Sequence, residues 1–93
     1  MLESRLPAER IEAVVALGNG GDPSSVPALV ERLEDEDPAV RFYAILALER
    51  LTGERRGYDY RAPIDRRRAA VLRWRAYVQQ SATHAKDNAS AAP

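Results

Sequence analysis

The 93-residue chain has no cysteine and a single histidine, His84. Disulfides, thiolate metal sites, iron–sulfur clusters and a cysteine nucleophile are therefore excluded. One imidazole cannot build a His-rich metal cage. Aromatic residues are scarce at 6%, so a core must come from Ala, Leu, Ile and Val, sizes that suit close helix–helix contact. No apolar run approaches the roughly 18–20 residues that span a bilayer. The opening Met1–Pro7 also lacks the apolar stretch of a signal peptide, so a cytoplasmic protein with no membrane partner is expected. Net charge is missing as well, fourteen basic residues balancing fourteen acidic ones. That argues against a chain that binds polyanions over its whole surface. The length suits one small domain.

What is present is helical patterning. A first helix is expected from Pro7 to about Leu17, where Ile11, Val14 and Val15 form an i, i+3, i+4 stripe and Gly18-Asn19-Gly20-Gly21 stops it. Asp22-Pro23 is a start signal, the carboxylate capping free N–H groups and the proline taking the first helical position. Val26, Leu29, Val30 and Leu33 then give a one-faced second helix. Asp37-Pro38 repeats the signal for a third helix ending at Thr52-Gly53. It is apolar nearly all round, as a central element should be. After a loop from Gly53 to Ala62, a fourth helix is expected from about Pro63 to Gln80, with Ala70, Val71, Trp74, Tyr77 and Val78 on its apolar face. The Ala/Ser/Asn-rich remainder, 81–93, reads as a disordered tail.

The chain also repeats itself. Residues 7–17 align without gaps on residues 38–48 at an offset of 31, with six of eleven positions identical, including Pro7/Pro38, Arg10/Arg41 and Leu17/Leu48. The fourth helix echoes the third more weakly at offset 26, placing Trp74 on Leu48. A period near 30 residues made of helix–turn–helix units means stacked helix pairs. The expected fold is all-α, a short α-α superhelix (solenoid) with four main helices.

The run from Ala16-Leu17-Gly18 through Gly21-Asp22-Pro23, Val26-Pro27-Ala28-Leu29-Val30 and Leu33-Glu34-Asp35-Glu36-Asp37-Pro38-Ala39-Val40-Arg41 resembles the HEAT-like repeats of phycobilisome lyases. The close of the chain is similar to small bacterial HEAT-repeat proteins. The resemblance implies about two HEAT-like helical hairpins over residues 1–80. Its structural repeat positions fall on Asp22, Pro23, Asp37, Pro38 and Arg41, with Asp37 and Arg41 packing together. It implies a non-enzymatic scaffold that binds another protein.

Several residues are candidates for partner contact: Arg41, Arg50, Tyr58, Tyr60, Arg67, Arg73 and Trp74. Each also has a structural reading. Asp37 and Arg41, four apart, are spaced for a local ion pair. Trp74 and Tyr77 are placed to close the end of the core, with Tyr58 pinning the loop over it. Residues 1–53 hold ten acids and five bases, net −5, and residues 54–93 hold four acids and nine bases, net +5. The arginines at 61, 66, 67, 68, 73 and 75 are either a strip for nucleic acid or the internal complement of the acidic 31–37 turn. No catalytic, cofactor-binding or metal-binding constellation is visible, and His84 has no neighbour to orient it. The expected activity is protein binding, with self-association through residues 7–17 as one form of it. Nucleic-acid binding through the fourth helix is the alternative, and an accessory subunit of a lyase-type enzyme a second.

Overall fold

A computed structural model describes the backbone of residues 6–91 and the side chains of residues 6–81. Among the described residues there are four α-helices and no strand: α1 (Pro7–Gly20), α2 (Val26–Arg32), α3 (Pro38–Thr52) and α4 (Ile64–Ala91). The stacked-helix architecture expected from the repeat is present. α1 and α3, the two gap-free copies, lie side by side, and α2 packs across α3 and α4.

α3 begins and ends where its sequence signals stand. The Asp37 carboxylate accepts from the amides of Ala39 (2.8 Å) and Val40 (3.4 Å), and Pro38 takes the first position, where its missing N–H had no partner. Gly53 closes the helix with φ 80° and donates its N–H to Glu49 O at 2.7 Å.

The other three helices differ from expectation, each for a local reason. α1 runs through Gly18 to Gly20, and Gly21 is the left-handed stop, with φ 71°. Gly18 is an interior helix residue because α3 passes there: a Cβ on Gly18 would sit 2.8 Å from Ala47 Cβ. The second helix does not start at Pro23. Asp22 caps Ser24 N (2.9 Å), but Pro23–Ser25 form a 3-10 turn and the α-helix begins at Val26. In a continuous α-helix the ring of Pro27 would strike the Pro23 carbonyl, four residues back. α4 continues past the end expected near Gln80, to Ala91. Residues 81–91 contain four alanines and neither glycine nor proline, so nothing local stops the helix.

One cluster forms the core, with Val14 from α1, Leu29 from α2, Ile45 and Leu48 from α3 and Val71 and Trp74 from α4 all essentially inaccessible. Trp74 closes its far end, as its alignment on Leu48 implies. Its indole Nε1 donates to Arg55 O at 2.9 Å, and Tyr77 meets its ring edge-on. Tyr58 is buried and donates its hydroxyl to Leu33 O at 2.6 Å. That bond fastens the 53–63 loop over the core.

Candidate functional site

The repeat offsets place Arg10, Arg41 and Arg67 at equivalent positions of α1, α3 and α4. All three are spent on the architecture. Arg10 reaches from α1 to the loop before α3 and grips Asp35 with both arms of its guanidinium, Nε to Oδ2 at 2.8 Å and Nη2 to Oδ1 at 3.1 Å. Arg32 adds a third contact at 3.1 Å, and the Asp37 amide donates to Oδ1 at 2.9 Å. The Arg10 and Asp35 side chains are only 8% and 3% exposed, so the pair is a buried one. Burial pushes the Asp35 carboxyl up, but the bond from Arg10, the Asp37 amide and the charges of Arg10 and Arg32 outweigh it. The carboxyl is held below the usual aspartate range.

Arg41 does the same work one repeat on with different acceptors. Its Nη1 donates to the main-chain carbonyls of Asp35 (2.9 Å) and Glu36 (3.1 Å), and its Nε and Nη2 to Tyr60 O (3.2 and 3.1 Å). The local Asp37–Arg41 ion pair permitted by their spacing, and their packing together implied by the resemblance, are replaced by this arrangement. Asp37 is occupied as the cap of α3, and Arg41 points into the joint between two loops. Arg67 turns back to Ala62 O, in the loop before its own helix, at 3.0 Å.

These positions revise the list of partner-contact candidates. Trp74 and Tyr58 lie inside the core and offer no surface. Arg41 is buried in the joint. Tyr60 is half-buried against Phe42, with ring centroids 5.0 Å apart. Arg73 is exposed but fixes the loop by donating Nε to Arg56 O at 2.8 Å. Arg75 bridges from α4 to Glu31 and Glu34 beside α2, which is the internal charge complementarity expected of the acidic turn. Arg61 sits 3.8 Å from Asp59. Of the six arginines in the strip, only Arg66 and Arg68 lack an ion pair or hydrogen bond among the described residues.

The one expected residue that reaches an open surface of interest is Arg50. It lies on a groove of about 300 Å³ between α1 and α3, lined by Val15, Gly18, Asn19, Tyr43, Leu46, Ala47, Glu49 and Arg50. Val15 and Tyr43 are 36% and 37% exposed, although Val15 belongs to the stripe expected to be core. The groove is built in register. Val15 and Leu46 are equivalent across the 31-residue offset, as are Asn19 and Arg50, and Arg50 donates Nη1 to Asn19 Oδ1. Glu49 is held by Arg55 at 3.0 Å, a bond that lowers its carboxyl pKa against the opposing effect of burial. The polar rim is therefore satisfied from within, and the free chemistry of the groove is apolar. Val15, Tyr43 and Leu46 were not among the candidates. Their signal in the sequence is that the apolar positions of α1 and α3 exceed what one buried face needs.

Two helices of equivalent sequence, α1 and α3, laid side by side, with an arginine at the same repeat position of each tying it to a neighbouring loop, define an α-α repeat protein. The family model for HEAT repeats matches residues 1–85, and the chain belongs to that family. No curated protein and no solved structure matches it. HEAT repeats generally mediate protein–protein interaction, and domains built from them are typically non-catalytic scaffolds. Among the described residues no helix is long and apolar enough to cross a membrane.

Proposed function

We propose that this chain is a non-enzymatic protein-interaction module that takes its partner in the α1–α3 groove. The observation that supports this is the exposure of Val15 and Tyr43 in a groove of about 300 Å³ whose polar rim is internally paired. Apolar side chains grouped in a concavity gain most by covering with an apolar anchor from another protein. The groove is at the small end of ligand pockets, which run from about 300 to 1,000 Å³, so it suits one or two anchoring side chains rather than a pigment-sized molecule. That weighs against the lyase-subunit reading. The nucleic-acid reading is disfavoured by the engagement of four of the six strip arginines with carbonyls or carboxylates.

The test is a photo-crosslinker placed at position 43 of the full chain in its native cells. A discrete crosslinked protein that disappears in Val15→Glu, with the helical spectrum unchanged, is the expected result. Crosslinking to the same protein undiminished by Val15→Glu would remove the groove from the function.

A further inference from the structure

Exposed charges remain unmatched among the described residues on helices that do not pair with each other, Glu12 on α1 and Asp65, Arg66 and Arg68 on α4. Glu12 lies on the outer face of α1, among exposed Ala8, Val15 and Ala16, and makes no ion pair or hydrogen bond among the described residues. Arg68 lies on the outer face of α4, one turn from Ile64 and one turn from Leu72, which are 53% and 65% exposed. It too is unpaired, and Asp65, three residues before it, forms no bridge to it. Each face thus exposes apolar side chains beside unanswered charge, acidic at Glu12 on α1 and, with Arg66 and Arg68 against Asp65, basic on balance on α4. α1 packs on α3 and α4 packs on α2, and among the described residues no ion pair joins α1 to α4. The same asymmetry runs through the whole chain, net −5 over residues 1–53 and net +5 over residues 54–93.

We infer that a second copy of this chain is the occupant of these faces, with the α4 face of one copy docking head-to-tail on the α1 face of the next, and Arg68 meeting Glu12 between Ile64, Leu72 and the small side chains of α1. The contact uses two different surfaces, so it is heterologous and propagates into open chains of copies rather than stopping at a two-fold dimer. An ion pair ringed by apolar side chains sets register and orientation while the apolar atoms supply the adhesion. The α1 face borders the α1–α3 groove at Val15, but neither Glu12 nor Arg68 lines that groove, so a contact that fails the reversal of these two charges leaves the groove proposal standing.

Sedimentation velocity of the full chain over a concentration series, at low and high salt, tests the inference. The expected result is a weight-average mass that climbs with concentration beyond that of a dimer and falls as salt screens the pair. Glu12→Arg and Arg68→Glu each weaken the association about tenfold or more, because like charges then face each other across the contact. An equimolar mixture of the two variants, or the double variant, recovers it, because every contact again joins opposite charges. Both positions are exposed, and an unchanged helical spectrum establishes that each variant is folded. The inference is overturned by a monomer at every concentration, by association indifferent to either reversal, by a mixture that does not recover, or by association lost in Tyr43→Glu but kept in Glu12→Arg.

Discussion

The joint that Arg10 makes between α1 and the loop before α3, and the joint that Arg41, Tyr58 and Trp74 make around the 53–63 loop, perform one task with different chemistry. In the first, a buried arginine meets a buried carboxylate, and the helices close to the limit set by Gly18 against Ala47. In the second, Arg41 meets only carbonyls, a tyrosine hydroxyl meets a carbonyl, and an indole covers the end. The repeat position that holds Gly18 in α1 holds Glu49 in α3 and Arg75 in α4. Only the first joint can therefore draw its helices together, and α4 instead settles on α2. The first joint is charged and tight. The second holds no buried ion pair among the described residues and is tied by directional hydrogen bonds, those of the Arg41 guanidinium included. The two should accordingly fail under different conditions.

The largest effect is expected at Asp35. Removing one member of a buried ion pair leaves the other charge without its partner and typically costs about 3–5 kcal/mol, a large share of the stability of a domain this size. Asp35→Ala should lower the urea midpoint at pH 7 by a correspondingly large step. Since the carboxyl is held below its ordinary value in the folded chain, its contribution is fully present above the unfolded aspartate pKa, near 3.9. It is lost as pH falls through the lower folded value. Wild type should therefore lose stability steeply in acid, and Asp35→Asn should be weaker at pH 7 yet much flatter between pH 5 and 2. Equal acid slopes for the two would show that the first joint is not held by charge.

How much of this was legible in the sequence follows the same division. The 31-residue offset, the Asp37-Pro38 start, the Gly53 stop and the covering roles of Trp74 and Tyr58 could all be read, because capping and periodicity are local or repeat-bound. The identity of the buried acid could not. Glu34, Asp35, Glu36 and Asp37 are consecutive carboxylates, and periodicity does not say which one Arg10 will reach from a helix 25 residues earlier. The clue was Arg10/Arg41 itself: a charged residue kept in both copies of a largely apolar alignment needs a partner inside the stack. The groove was hidden for a related reason. Val15 obeys the helical stripe, and only the angle at which α3 lies on α1 decides that Val14 is buried and Val15 open.

A middle-sized effect is expected at Gly18. Alanine there gains up to about 1 kcal/mol in helix propensity, but its Cβ would meet Ala47 Cβ at 2.8 Å, so α1 and α3 must separate. Gly18→Val adds bulk and a β-branched side chain and should cost about 1–3 kcal/mol, the usual price of overpacking. The loss should be shared by Asp35, whose bond to Arg10 depends on the same helix spacing. A double-mutant cycle of Gly18→Val with Asp35→Asn should therefore be strongly sub-additive. Additive losses would show that helix spacing and the buried pair act independently.

The smallest effect belongs to the hydrogen-bonded joint. Tyr58→Phe removes the hydroxyl that donates to Leu33 O at 2.6 Å and leaves that carbonyl without its partner, which is worth about 1–2 kcal/mol. Burial pushes the Tyr58 phenol up, more than the nearby charges of Arg41 and Arg67 pull it down. Its contribution is then complete below the unfolded tyrosine pKa, near 10, and is lost as pH rises through the higher folded value. The variant should run parallel to wild type in acid and diverge from it only in alkali, where wild type alone carries this loss. Hydrogen exchange should localise the damage, quickening at the amides of Tyr58 and Ala62, which bond to Arg55 O and Asp59 O in the loop, and leaving α1 protected. If the α1 amides exchange faster to the same degree, the two joints are one cooperative unit, and the contrast between an ion-paired end and a hydrogen-bonded end holds for their chemistry but not for their unfolding.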